Sequence, residues 1–184
     1  MFKIDLSYNA TKLGDIAGTG PVSIADNGTQ LFFAANPKGY IYDEVANVFA
    51  EITDPDFPGA ATVGFVDGYF VFNEPNSQKI WVTALLDGTS VEPLDFASAE
   101  AAPDNIVAVI ADHRELWVFG TETTEVWYNA GNATFPFQEM PMWNLWYTNQ
   151  SEIGGASFFN TGSITTGNNV YTPLFNINQG VAAP

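Results

Sequence analysis

The chain contains no cysteine. Disulfide frameworks, thiolate nucleophiles and cysteine-based zinc sites are therefore excluded by inventory. Histidine occurs once, at His113, so a zinc site built from several histidines is excluded too, and any Ser-His-Asp triad would have to use that one residue. Cations are almost missing: Lys3, Lys12, Lys38, Lys79 and Arg114 stand against 21 Asp and Glu, the formal net charge is −16, and no Lys or Arg follows Arg114. Duplex DNA is held mainly by cations that neutralise phosphates, so this chain repels nucleic acid rather than binding it. No apolar run approaches the roughly eighteen residues of a membrane span. No basic start followed by an apolar stretch marks a signal peptide.

Hydrophobic residues make up 46% of the 184 positions, enough for one domain with a real core. Sixteen Gly and eleven Pro are spread as punctuation between short apolar runs. The helical spacing i, i+3, i+4, i+7 is sustained nowhere, which indicates an all-β chain. Three copies of one pattern run through it: Val22 to Phe33, Thr62 to Phe72 and Val107 to Phe119 each read as an apolar run, an acidic turn and an aromatic-rich run. The turn aspartates Asp26, Asp67 and Asp112 stand 41 and 45 residues apart, inside the roughly 40–50 residue period of four-stranded propeller blades. The fold class expected is β-propeller-type blades of four antiparallel strands, about three to four of them, forming an incomplete propeller.

The first unit, about 22–60, is expected to use strands at Val22–Asp26, Gln30–Ala34, Gly39–Asp43 and Val48–Ile52. Its turns are Asp26-Asn27-Gly28 and a longer one at Asn36-Pro37-Lys38-Gly39. The second, about 61–105, uses Ala61–Val66, Tyr69–Asn73, Lys79–Thr83 and Val91–Leu94, with Asp67-Gly68 and Asp87-Gly88 among its turns. The third, about 106–145, uses Ile106–Ala111, Leu116–Gly120, Thr124–Tyr128 and Phe137–Met140. Matching aromatic triplets, Tyr40-Ile41-Tyr42, Ile80-Trp81-Val82 and Val126-Trp127-Tyr128, mark the third strands. Residues 1–21 read as a lead-in segment, irregular over the glycine-rich Gly14–Gly20, and 146–184 as a partial fourth blade or assembly tail, with Asn160–Asn168 a loop. Three and a half blades do not close a ring, so further blades or other subunits are expected to cover the open edges.

Several of these segments together resemble a known family. They are Leu13 to Ala25, the Asp67-Gly68-Tyr69-Phe70 turn, Ile80 to Leu85, Pro103 to Val107 and Leu116 to Trp127. The resemblance, over about residues 13 to 130, is to the packaged-DNA stabilisation proteins that form the tail hub or nozzle of short-tailed bacteriophages. It implies a non-enzymatic virion component of the viral tail, assembled as a homo-oligomeric ring beside the portal-adaptor and other tail proteins. Such a ring extends the DNA conduit, retains the packaged genome and lets DNA pass during ejection without specific binding. A carboxylate-lined conduit would let a polyanion slide without sticking.

Chemistry of other kinds is weighed against turn logic. His113 falls in a hairpin turn, which favours an exposed loop residue over a catalyst. The pairs Asp54 with Asp56 and Glu122 with Glu125 would serve acid–base hydrolysis of glycosides, and a carbohydrate-binding or glycoside-hydrolase-like acidic propeller is the alternative reading. Asp54 and Asp56 flank Pro55 in a connector and Glu122 and Glu125 bracket a hairpin, positions that turn geometry explains. No catalytic, metal or cofactor residue is assigned. Phe33, Phe72, Trp81, Trp117 and Trp127 are expected to pack between blades. Trp143, Trp146 and Tyr147 lie outside the repeat and are the candidate interface residues.

Overall fold

The computed structural model describes residues 1–17, 20–99 and 104–140, with short backbone strands at Leu145–Trp146, Ile164–Thr166, Asn169–Tyr171, Phe175–Asn176 and Val181–Ala182. Every regular element among them is a strand. A hairpin of β1 (Phe2–Ile4) and β2 (Ala10–Lys12) comes first. The first four-stranded sheet follows, from β3 (Ser23–Asp26), β4 (Gln30–Ala35), β5 (Lys38–Asp43) and β6 (Val48–Glu51). The second runs β7 (Val63–Val66), β8 (Tyr69–Asn73), β9 (Lys79–Val82) and β10 (Phe96–Ser98). The third runs β11 (Ile106–Asp112), β12 (Glu115–Gly120), β13 (Thr123–Asn129) and β14 (Phe137–Glu139), and β15 (Leu145–Trp146) also pairs with β13. Each is an antiparallel meander in chain order. Their first strands lie side by side, with β7 between β3 and β11. That is how neighbouring propeller blades meet about their axis.

Faces that no single sheet can bury are buried between sheets. Phe32, Ile41 and Ala60 of the first blade close on Phe70, Phe72 and Trp81 of the second. Val71, Ile80 and Val82 of the second close on Leu116, Val118 and Trp127 of the third. Phe32, Phe70 and Phe72 are 0% exposed, and each such ring removed from water stabilises the stack by about 1.5–3 kcal/mol. The ring pairs Phe32–Phe70 and Phe32–Phe72, at 5.5 and 5.7 Å, cross the first joint.

The outer face of the first blade is covered by the lead-in. Met1, Leu13 and Ile16 pack on Phe33, Tyr40 and Tyr42. The Ala17 amide donates to the Tyr40 hydroxyl at 3.0 Å, Lys3 Nζ to the Tyr42 hydroxyl at 2.8 Å, and the N-terminal ammonium to the Gly14 carbonyl at 2.6 Å. The lead-in thus begins with a hairpin over residues 2–12, and its described residues after Lys12 carry no regular element, as expected. Asp5 makes the turn by accepting the Ser7 and Asn9 amides, a local geometry without a periodic apolar signal.

Other departures have similarly local causes. The last strand of the second blade is Phe96–Ser98 rather than Val91–Leu94. Pro93 brings no amide to a ladder, and Val91 instead turns into the core, its own amide donating to Asp54 Oδ2 at 3.3 Å. The Asn36–Pro37 turn is tighter than expected: Ala35 pairs with Lys38 across a cis peptide bond. Ile164–Thr166 is a strand within the expected Asn160–Asn168 loop, paired with Asn169–Tyr171. The aromatic triplets are not in register. Ile41 faces the joint with the next blade, whereas Trp81 and Trp127 face the preceding one, because one residue of slip moves a strand residue to the other face. Phe33 packs on the lead-in, and Trp117 lies on the outer face of the third blade beside Phe119, at 6.5 Å.

Candidate functional surface

The first-to-second-strand turns of all three blades lie at one end of the stack and are joined there across the blades. In the second blade Val66 pairs with Tyr69 around Asp67 and Gly68, at φ 50° and 91°. In the third Asp112 pairs with Glu115 around His113 and Arg114, at φ 47° and 71°. Both are two-residue hairpins with positive φ at both central positions, where Asn, Asp and Gly are preferred. Asp67 therefore corresponds to His113, not to Asp112; Asp112 and Asp26, which pairs with Leu31, end their strands one step earlier. The aspartates mark the same corner of each blade with a one-residue offset.

Arg114 bridges two blades. Its Nε and Nη2 donate to the two carboxylate oxygens of Asp67 at 2.9 and 3.2 Å, with Asp67 largely covered and Arg114 largely exposed. His113 Nδ1 lies 2.7 Å from Asp112 Oδ1. That hydrogen bond, with the adjacent negative charge, raises the imidazole above its ordinary pKa. Phe65, Val66 and Ala111 floor an open depression between these turns. Both exposed basic groups at its rim are already held by carboxylates. His113 is therefore a turn residue with one acidic neighbour, and nothing among the described residues arranges it with a serine nucleophile.

The first two blades are joined at the same end. Asn27 Nδ2 donates to the Leu86 carbonyl at 3.2 Å and the Gly88 amide donates to Gln30 Oε1 at 2.8 Å, while within the second blade the Leu86 amide donates to the Gly68 carbonyl at 2.8 Å. The tight turn here is Ala84 to Asp87, closed by Asp87 N–H donating to Ala84 at 3.2 Å, with Leu85 and Leu86 at its tip. Leu86 has φ 60°, a conformation in which leucine is an outlier. Burial pushes the Asp87 carboxyl up, but hydrogen bonds from Thr89 and Gln30 outweigh it and hold the group below the ordinary aspartate value.

Deeper in, hydroxyl and amide side chains tie the first strands together. The Val63 amide donates to Ser23 Oγ at 3.1 Å, and the Val109 amide donates to Thr62 Oγ1 at 2.9 Å, the same device at successive joints. Asn73, 0% exposed, accepts from the Thr62 amide and hydroxyl at 2.9 and 2.7 Å and donates to the Ile106 carbonyl at 3.2 Å.

One member of each acidic pair weighed for hydrolysis is engaged in structure. Asp54 accepts the Asp56 and Val91 amides. Glu125 is buried and accepts from Trp127 Nε1 at 2.8 Å. Of the interface candidates, Trp143 and Tyr147 lie outside the described residues; Trp146 is described only as a strand residue opposite Thr123. Sequence reading missed Leu85, Leu86 and Asn73. The Asp87-Gly88 dipeptide drew the turn away from two leucines that no turn rule favours.

Stacked four-stranded meanders meeting at their first strands make this a β-propeller-type protein. The sequence matches, over residues 1–146, the phage stabilisation family described as Bacteriophage P22 Gp10, beta-propeller. The chain belongs to that family. No curated protein matches it. Among solved structures it is similar to the computationally designed Ika4 protein, with 13% identity and a TM-score of 0.47 over 71% of this chain and 77% of that one. It is also similar to Hsv2 of Kluyvelomyces marxianus, with 11% identity and a TM-score of 0.44 over 70% of this chain and 40% of that one. A third is the Cps50 (Swd1) beta-propeller domain of Myceliophteria thermophila, with 9% identity and a TM-score of 0.45 over 72% and 43%. The chain thus spans less than half of either fungal protein, and at these TM-scores the likenesses add nothing to the family assignment.

Proposed function

We propose that this chain is a structural, non-enzymatic part of a phage tail nozzle or hub, one copy in a homo-oligomeric ring beside the portal-adaptor and other tail proteins. The ring extends the DNA conduit and helps retain the packaged genome. Family membership over residues 1–146 carries the reading. In it, 22–145 act as three blade units, about 22–60, 61–105 and 106–145. Residues 1–21 are their lead-in and 146–184 a partial fourth blade or an assembly tail.

The charge gives the reading its physical content. A net charge of −16 with five cations leaves few groups that could grip phosphates. Of those five, Lys12, Lys38 and Arg114 each hold a carboxylate within 2.9 Å. A polyanion passing such a surface meets repulsion without sticky contacts, so it slides.

The test is deletion of the gene from the phage that carries it, followed by measurement of nuclease-protected DNA in purified particles. The reading expects particles that package DNA and then lose it, with protection restored by the chain supplied in trans. Particles that lack the chain and still hold a full genome would overturn it.

A further inference from the structure

The tip at Leu85 and Leu86 is displayed at a cost the blade does not need to bear. Both side chains are largely exposed, at 60% and 58%. Leu86 sits at φ 60°, where glycine would be at ease and a leucine is held only because its surroundings fix it. Those surroundings are described above: the Gly68 carbonyl holds its amide, Asn27 of the first blade holds its carbonyl, and Gly88 is anchored on Gln30. A β-carbon on Gly68 would stand 2.7 Å from Leu85, so the bare glycine is what lets that leucine lie across the turn. A strained pair of leucines, pinned by two blades and left in water, marks a contact point rather than packing.

Charge decides what the contact is with. Asp26 and Asp87 belong to the segments that hold the tip, Glu44 donates its amide to the Thr29 carbonyl in the adjoining turn, and no lysine lies in these turns. The basic side chain of the third blade's hairpin turn, Arg114, is already engaged by Asp67. We propose that Leu85 and Leu86 are the apolar anchor of a docking surface for a different protein, one that offers an apolar cleft rimmed by Lys and Arg. A second copy of this chain does not fit that description, since it has five cations in all and four of them pair with carboxylates of their own. The inference rests on the tail reading only for where such a partner would be met, and it leaves the lining of a conduit to other faces.

The test uses the full chain with a defined probe: an amphipathic leucine–lysine peptide, and a lysine-only peptide of equal charge as its comparison. The leucine–lysine peptide is expected to shift the amide resonances of Asn27, Gly68 and Leu85 to Gly88. Leu85→Ser and Leu86→Gly are each expected to weaken it about tenfold, while the lysine-only peptide binds all three proteins alike. Leu86→Gly is also expected to raise the chain's own melting midpoint, because glycine relieves the positive φ, so lost binding would not be lost folding. Two results would overturn the proposal. One is binding of the leucine–lysine peptide that neither substitution weakens. The other is self-association by light scattering that Leu85→Ser abolishes, which would place a second copy on the tip. Neither readout needs a virion, so failure of the gene-deletion test would remove the tail reading and leave this result intact.

Discussion

Asn73→Leu is the sharpest perturbation the stack offers, because one buried amide serves two blades. Leucine keeps the volume but removes both hydrogen-bonding functions. The Thr62 amide loses its acceptor at 2.9 Å and the Ile106 carbonyl its donor at 3.2 Å. The Thr62 hydroxyl keeps one partner, the Val109 amide at 2.9 Å. Leaving a buried donor or acceptor unmet costs about 1–3 kcal/mol, so two such groups amount to about 2–6 kcal/mol. Whole domains are stable by only about 5–15 kcal/mol. Urea unfolding of the full chain should therefore show the midpoint falling by about 1 M or more with an unchanged slope, since m for small proteins is about 1–3 kcal/mol/M. Asn73→Asp adds a pH signature. A buried carboxylate facing the Ile106 carbonyl has its pKa raised by burial, and the protonated form alone can donate to that carbonyl. The gap between this variant and the parent should therefore narrow as pH falls through the raised pKa and be widest above it. A loss under about 0.5 kcal/mol for Asn73→Leu would show that the amide does not weld the second blade to the third.

Three further outcomes follow from local geometry. A β-carbon on Gly39 would stand 2.6 Å from the Phe57 ring and 2.9 Å from Ile52, so Gly39→Ala should cost about 1–3 kcal/mol in thermal unfolding; a neutral result would mean the connector is loosely seated. The His113 imidazole should titrate above 6.5 in an NMR pH series because of its Asp112 hydrogen bond, and Asp112→Asn should bring it back. Its contribution to stability is present below the unfolded value and lost as pH rises through the raised one, so stabilisation that grew with pH there would contradict the pairing. Arg114→Gly relieves a positive φ of 71° while breaking an ion pair whose arginine is 80% exposed, and unfolding should shift little, since exposed pairs contribute little.

How far the sequence could be read depended on the kind of signal each residue carried. The strands at Gln30–Ala35, Tyr69–Asn73 and Glu115–Gly120 were legible because buried apolar residues and turn residues agreed. Asp67-Gly68 announced its hairpin, since both types tolerate positive φ. His113 and Arg114 adopt the same turn with neither residue type favouring it, so their geometry had to be seen. The lead-in hairpin was hidden because Phe2, Ile4, Leu6 and Tyr8 all lie exposed, leaving Asp5's turn as its organiser. Asn73 read as the polar end of a strand. Its role depends on Thr62 and Ile106 arriving from 11 residues before and 33 after, which composition cannot show.

Cryo-electron microscopy of intact, genome-filled particles would show whether the blades surround the DNA. The expected density shows the blades as repeated four-stranded meanders in a symmetric ring around the DNA passage, with carboxylates rather than lysines towards the DNA. Particles in which this chain is missing, or in which it decorates the capsid away from that passage, would contradict it.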